Sequence, residues 1–267
     1  MNLIINGGND FMKIKTRLIG REEDFKVLYL GYRLEIPVLL IGEPGVAKTQ
    51  MAIDIARSLE VPYFIRQLSQ DTTLSDIQGY IHIPSLKEGK VLRIGGIESA
   101  SVIVIDEVDK APSQVKNMLL SVMREKNIFN GDTFIPCNWE LFVGTSNTAE
   151  FDSESRAFLD RFVLKRVVER LSPDKMEGLL LISDENEIEI TYDENRIRID
   201  ENKRCIMQVI HLLRESLSDR TISKLLCIVN GIQAIWGVSS REAVMKATEL
   251  TSSNIEIVKR IAQELSK

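Results

Sequence analysis

Eight residues, Gly42-Glu43-Pro44-Gly45-Val46-Ala47-Lys48-Thr49, carry the strongest chemical signal in the sequence. Closely spaced small residues let backbone N–H groups curl round a phosphate, and a helix opening at the end of such a loop adds the positive pole of its dipole. In that arrangement Lys48 reaches the β- and γ-phosphates of a nucleotide and the Thr49 hydroxyl holds Mg²⁺, with the loop from Gly42 to Gln50 around the phosphates. The place that most such loops give to a second-last glycine is filled by Ala47. Its Cβ restricts the backbone, so the loop is expected to adopt helical angles there.

A second signal lies 58 positions after Lys48, where the apolar run Ser101–Ile105 ends in two carboxylates, Asp106 and Glu107. An apolar run ending in Asp-Glu is, by itself, often a strand entering a solvated turn. Beside a phosphate loop it acquires a role, because parallel strands present their carboxyl ends on one side of a sheet. Asp106 then orients the Mg²⁺ shell as a hard oxygen ligand, and Glu107 polarises a water for attack on the γ-phosphate.

The elements that must position these residues are legible as period and run length. Ile36–Ile41, Ser101–Ile105 and Leu141–Gly144 are short all-apolar runs, the pattern of strands buried on both faces of a parallel sheet; Val61–Ile65 and Phe162–Val168 are weaker examples. Helical spacing marks Arg21–Arg33, Gln50–Leu59 and Ser113–Arg124. Strands alternating with helices give an α/β, doubly wound parallel sheet over residues 1–170, with residues 1–18 as a loose or strand-like arm. Residues 171–267 form a smaller, mainly helical domain: Asp200 reads as an N-cap, Cys205, Ile206, Val209, Ile210, Leu213 and Leu217 follow at helical spacing, and Thr221–Ile235, Arg241–Leu250 and Asn254–Leu265 continue as helices. The acidic span Asp184–Asp200 between the two reads as a solvated connector whose short alternation suits a small hairpin. Met1 and Met12 are both candidate starts.

Composition narrows the partners. With 34 basic against 39 acidic residues, net charge −5, the chain lacks the basic surface that coats nucleic acid. Residues 171–267 hold 13 basic and 16 acidic residues, so neither part is a basic appendage. No apolar run approaches the roughly 18 residues of a membrane span. Three cysteines without a CxxC pair and only two histidines argue against a disulfide frame or a zinc site and place the expected compartment in the reducing cytoplasm. Trp236 and Cys227 fall on helical apolar stripes and read as packing residues.

Taken together, the two motifs resemble the AAA+ ATPases, and within them the MoxR type. GEPGVAKT is similar to the MoxR form of the phosphate loop (P-loop), in which alanine at the position of Ala47 is familiar. IDEVDKAPSQVKNMLLSVMREK resembles the stretch around and after the acidic pair. FVGTSNT at 142–148 is similar to the family's sensor strand, which implies that Asn147 contacts the γ-phosphate region. AFLDRF at 157–162 resembles the family's LDRF and implies Arg161 as an arginine finger for a neighbouring subunit, with Arg156 competing for that role. LSDR at 217–220 resembles the second sensor, placing Arg220 on the first turn of a helix in the C-terminal, lid domain. The motifs follow family order over most of 19–250.

The resemblance implies an ATP- and Mg²⁺-dependent ATPase core with a helical lid. It further implies self-association into a ring, commonly a hexamer, that remodels or assembles a protein client with a von Willebrand factor A (VWA) domain partner. At Gly79–Gly96 the family carries a hairpin inserted in its second helix; Ile83, Pro84 and Leu86 would form the tip region, and a similar projection is expected at Asn127–Cys137. Two other classes stay open from the residues: a nucleotide-gated interaction module with little hydrolysis, and, less favoured by charge, a nucleic-acid motor. The absence of an NKxD guanine-reading motif argues against a small GTPase.

Overall fold

Valine, leucine and isoleucine in unbroken runs have no polar face to turn to water, and the runs at 36–41, 101–105 and 141–144 become the three inner strands of one sheet. The computed structural model describes residues 9–81, 93–130, 133–148, 158–172, 186–252 and 254–266. Strands β2 (Val38–Ile41), β3 (Tyr63–Gln67), β6 (Val102–Asp106), β9 (Leu141–Ser146) and β10 (Leu164–Val167) form a five-stranded, all-parallel sheet in the order β10-β2-β9-β6-β3. Successive side chains alternate between the two faces. Val38 and Leu40 join a core with helices α1 (Glu22–Leu34) and α2 (Lys48–Ser58), while Leu39 points into a second core with Phe142 and α4 (Ser113–Glu125). The doubly wound α/β sheet expected from the sequence is therefore present.

Two small hairpins leave the sheet. After the short helix α3 (Leu74–Gln78), β4 (Tyr80–Ile81) pairs antiparallel with β5 (Arg93–Ile94). The hairpin tip expected at Ile83, Pro84 and Leu86 lies outside the described residues. The second projection is β7 (Asn127–Asn130) against β8 (Thr133–Pro136), with Phe129 opposite Phe134, ring centroids 4.5 Å apart, both exposed.

Of the two forms expected for the N-terminal arm, the described part takes the strand. Residues 9–16 are a strand, β1 (Asn9–Thr16), paired antiparallel over its whole length with β11 (Asn186–Asp193). The acidic span is thus neither a hairpin on itself nor a solvated connector over 186–193. Its alternation matches that of the chain's start: Met12 and Ile14 face the core together with Ile190 and Tyr192, and Lys13 reaches Glu187 at 2.8 Å on the other face. A register set by one buried face and by opposite charges is specific, but the partners are too far apart in sequence for local reading to find. The far edge of β1 is tied to α2, since the Thr16 hydroxyl donates to Asp54 at 2.6 Å.

The C-terminal helices are α5 (Ile199–Ser216), α6 (Asp219–Trp236), α7 (Ser240–Thr251) and α8 (Ile255–Leu265). Asp200 is not the N-cap of α5; Arg198 holds that place without a side-chain bond, and Asp200 and Glu201 sit in the first turn, where they favour the dipole's positive end. Cys227 is exposed rather than packed. One apolar core runs unbroken from the sheet through α1 into α5, α6, α7 and α8. The α1–α6 approach is close enough that a Cβ on Gly231 would lie 2.5 Å from Leu30 Cδ1. Among the described residues no single helix is long and apolar enough to cross a membrane.

Candidate nucleotide site

The carboxyl ends of β2, β3, β6 and β9 open on a cavity of about 430 Å³. One wall is Pro44, Gly45, Ala47, Lys48, Thr49, Gln50 and Ile53; the other is Gln67, Asp106, Glu107 and Asn147. The first turn of α2 carries no acidic residue and no side-chain cap, so its amide groups are left to an outside acceptor. Gly45, at φ +84°, presents open space on the cavity side where a Cβ would stand. Gly42 is required for another reason: a Cβ there would sit 2.3 Å from the carbonyl oxygen of Val168.

Ala47 corrects the sequence reading. It lies at φ 68°, ψ 25°, in the left-handed region instead of at helical angles. The curl of the loop into α2 demands the conformation a glycine takes freely, and alanine adopts it at a cost of about 1–2 kcal/mol. The loop's geometry overrides the residue's own preference.

Lys48 is only 6% exposed, and its ammonium group donates to the carbonyls of Gly42 (2.7 Å) and Glu43 (2.9 Å) and to Asn147 Oδ1 (3.0 Å). Burial pushes its pKa down, against the opposing pull of Asp106, Glu107 and Asp109. Glu107 stands at φ 55°, ψ 50°, left-handed like Ala47. Its Oε1 accepts from Asn147 Nδ2 at 2.9 Å, and its Oε2 accepts from Gln67 Nε2 at 3.0 Å and from Lys110 at 2.9 Å. The Lys110 and Gln67 hydrogen bonds hold this carboxyl below the usual range, outweighing burial, with Asn147 adding to them. Asp106 accepts a hydrogen bond from the Thr145 hydroxyl.

The residues that sequence reading grouped for phosphate and metal chemistry therefore meet in one place, with three exceptions. Gly42, Glu43 and Val46 shape the loop without lining the cavity, and Glu43 is ion-paired with Arg170. Neither Arg161 nor Arg220 is on the cavity wall. Arg220 is on the first turn of α6, where burial first, then the positive charges of Arg161 and Arg124, disfavour its charged form; Asp160 opposes them. Its Nη1 is buried with no hydrogen-bond partner among the described residues. Arg156 lies outside the described residues.

Comparison with known proteins decides the family. The family described as the MoxR domain in the MoxR-vWA-beta-propeller ternary systems matches residues 8–207. The chain belongs to the MoxR type of AAA+ ATPases. The chaperone MoxR1 of Mycobacterium tuberculosis is 29% identical over 172 residues, covering 63% of this chain and 45% of its own. An uncharacterized protein of Methanocaldococcus jannaschii is 27% identical over 204 residues, 75% of this chain and 55% of its own. The chain spans about half the length of the curated relatives it matches. A crystal structure of a candidate ATPase from Cytophaga hutchinsonii shares the fold, with a TM-score of 0.73 over 92% of this chain and 90% of the other at 20% identity.

Three residues of this MoxR domain escaped sequence reading: Gln67, Thr145 and Lys110. Gln67 ends β3 in register with Asp106 of β6, a signal available only once the strands are paired. Thr145 lies on β9 two residues before Asn147, which follows the strand's last residue, Ser146. Lys110 lies one helical turn after Glu107, a spacing the sequence does display.

Proposed function

We propose that the chain binds ATP with Mg²⁺ in the cavity at the sheet's carboxyl edge and hydrolyses it as part of a ring of identical subunits, using turnover to remodel or assemble a protein client. One observation carries this reading: a single cavity gathers Lys48, Thr49, Asp106, Glu107 and Asn147 beside an uncapped helix N-terminus. The triphosphate lies along that N-terminus, with Lys48 exchanging its carbonyl partners for β- and γ-phosphate oxygens. Asn147 moves from Lys48 and Glu107 to the γ-phosphate, and Glu107 orients the attacking water.

The donor set also suits the cation. Among the described residues no cluster of three His, Cys, Asp or Glu side chains is gathered for a metal. Thr49 and Asp106 supply only two hard oxygens, the number that suits an ion taking its other ligands from phosphate and water. Mg²⁺ bound there neutralises charge on the phosphates.

Arg161 and Arg220 lie off the chain's own cavity and serve a neighbour's γ-phosphate in this reading, with Arg156 as the competitor of Arg161 for the finger role. A trans guanidinium makes turnover depend on assembly. The family's naming after ternary systems with a vWA component supports such a partner for the client step.

The deciding experiment is the light-scattering mass of Glu107→Gln with and without ATP·Mg²⁺, paired with turnover by the unaltered chain. The mass is expected to rise from 30.3 kDa to near six subunits with nucleotide. A monomer in both states, with no turnover that Glu107→Gln abolishes, overturns the reading. A nucleotide-gated module that barely hydrolyses is the second reading, favoured by the engagement of both Glu107 oxygens by N–H donors. In that case Glu107→Gln changes little, whereas Lys48→Ala stops assembly.

A further inference from the structure

We propose that Thr145 is a positioning residue that sets the Asp106 carboxylate and the backbone turn at Glu107 and ties them to the end of β9, from which Asn147 follows. The inference rests on the ATP reading above. Thr145 is fully buried (0% exposed) on β9, and its hydroxyl makes two bonds at once. It donates to Asp106 Oδ1 and accepts the backbone N–H of Glu107 at 3.1 Å.

The two bonds fix each other. A peptide N–H only donates and an ionised carboxylate only accepts, so the single hydroxyl proton is committed to Asp106. The hydroxyl thereby has one orientation, with Asp106 on one side and the turn at Glu107 on the other. That turn needs an anchor, because Glu107 holds the left-handed conformation that non-glycine residues avoid.

Sheet register explains why a side chain does this. Backbone pairing between β6 and β9 runs from Val102 opposite Leu141 to Ile105 opposite Gly144 and stops. Thr145 and Asp106 are the next residues on each strand, and the hydroxyl continues the link where the ladder ends. Asn147 is two residues further along, bonded to Lys48 and Glu107. A shift of the end of β9 on Asn147 engaging a phosphate is therefore carried by Thr145 to Asp106 and to the backbone of Glu107. Neither Asp106 nor Glu107 can keep its place if β9 moves without them.

The test uses Thr145→Val, which keeps the shape and removes the hydroxyl, and Thr145→Ser, which restores the hydroxyl without the methyl. Binding of a fluorescent (mant) ATP is measured in EDTA and then through a Mg²⁺ titration, alongside turnover. In Thr145→Val the affinity in EDTA should stay within about twofold of the parent, while the Mg²⁺ midpoint rises and turnover falls by about tenfold each, the scale of losing a hydrogen bond to a charged group. Thr145→Ser should recover most of both. Thr145→Ala, which cannot clash, serves if the valine variant does not fold, with folding checked by thermal melting. A hydroxyl-free variant with the parent's Mg²⁺ midpoint and turnover overturns the proposal alone. A serine variant as impaired as valine does the same, since packing would then be the cause. A parent that fails to bind mant-ATP overturns the nucleotide reading, and this proposal with it.

Discussion

The indole N–H of Trp236, at the end of α6, donates to Glu23 on α1 at 2.8 Å, and that carboxylate also receives Lys26 at 2.9 Å and Lys246 of α7 at 3.1 Å. Both lysines lie over the Trp236 ring, 5.9 and 4.8 Å from its centroid. The cluster fastens the C-terminal helices to the first helix of the sheet domain. Partial burial pushes the Glu23 carboxyl up, but the bonds from Trp236, Lys26 and Lys246 outweigh it and bring the pKa down to about 2.

This cluster makes stability pH-dependent with a fixed sign. A carboxylate with a depressed folded-state pKa contributes stability that is complete above its unfolded value of 4.5 and lost as pH falls towards about 2. Glu23→Gln should therefore unfold at lower urea than the parent at pH 7, with the gap narrowing steadily below pH 4.5. A gap that is constant with pH would show that Glu23 acts through packing and not through charge.

Ala47→Gly should stabilise the chain. Relief of the left-handed penalty, about 1–2 kcal/mol, exceeds the extra backbone entropy glycine loses, roughly 0.5–1 kcal/mol. The net gain should raise the melting temperature of the nucleotide-free protein by about 1–3 °C. A lower melting temperature would mean that the alanine methyl makes compensating contacts.

Gln67→Leu removes the donor that β3 presents to Glu107 Oε2. With one fewer restraint the carboxylate is freer to meet water, and nucleotide turnover at low protein concentration should rise by about threefold, within the reach of one hydrogen bond. Steady-state phosphate release measures it. A fall in turnover would show that Gln67 helps to aim Glu107.

Arg220→Met trades function for stability. Removing a guanidinium whose Nη1 is buried without a partner among the described residues, beside Arg161 and Arg124, should raise the melting temperature of the isolated chain by about 2 °C. The same variant should lose turnover at concentrations that permit assembly. Mixing it with Lys48→Ala subunits, which lack the amine proposed to hold the phosphates, should restore part of the activity if Arg220 serves a neighbour's site. No recovery on mixing would place its action within its own chain.

The sheet and the loop were readable because their signals are local: unbroken apolar runs, a glycine-rich turn after one strand, carboxylates at the end of another. What escaped was set by pairing between distant segments. Gln67 acquires meaning only opposite Asp106, and Thr145 only beside the end of the β6–β9 ladder. The β1–β11 ribbon joins stretches whose individual alternation says nothing about each other. The left-handed Ala47 is not legible from alanine's intrinsic preference, because the curl of the loop into α2 overrides it. Arg161 and Arg220 could be matched to motifs, but their places off the cavity wall, Arg161 in the turn before β10 and Arg220 on the first turn of α6, are set by the tertiary structure.

The β1–β11 ribbon also bears on how the chain is made. Thr16 pairs with Asn186, 170 positions later. At the usual pace of synthesis, 5–20 residues per second, β1 waits roughly 10–35 s before its partner strand exists. Throughout that interval Met12 and Ile14 lack the β11 partners they have in the finished fold. A β1 from one nascent chain paired with the β11 of another would have the same register as the proper pair, so the long separation of the two strands bears on the order of synthesis and not only on the finished fold.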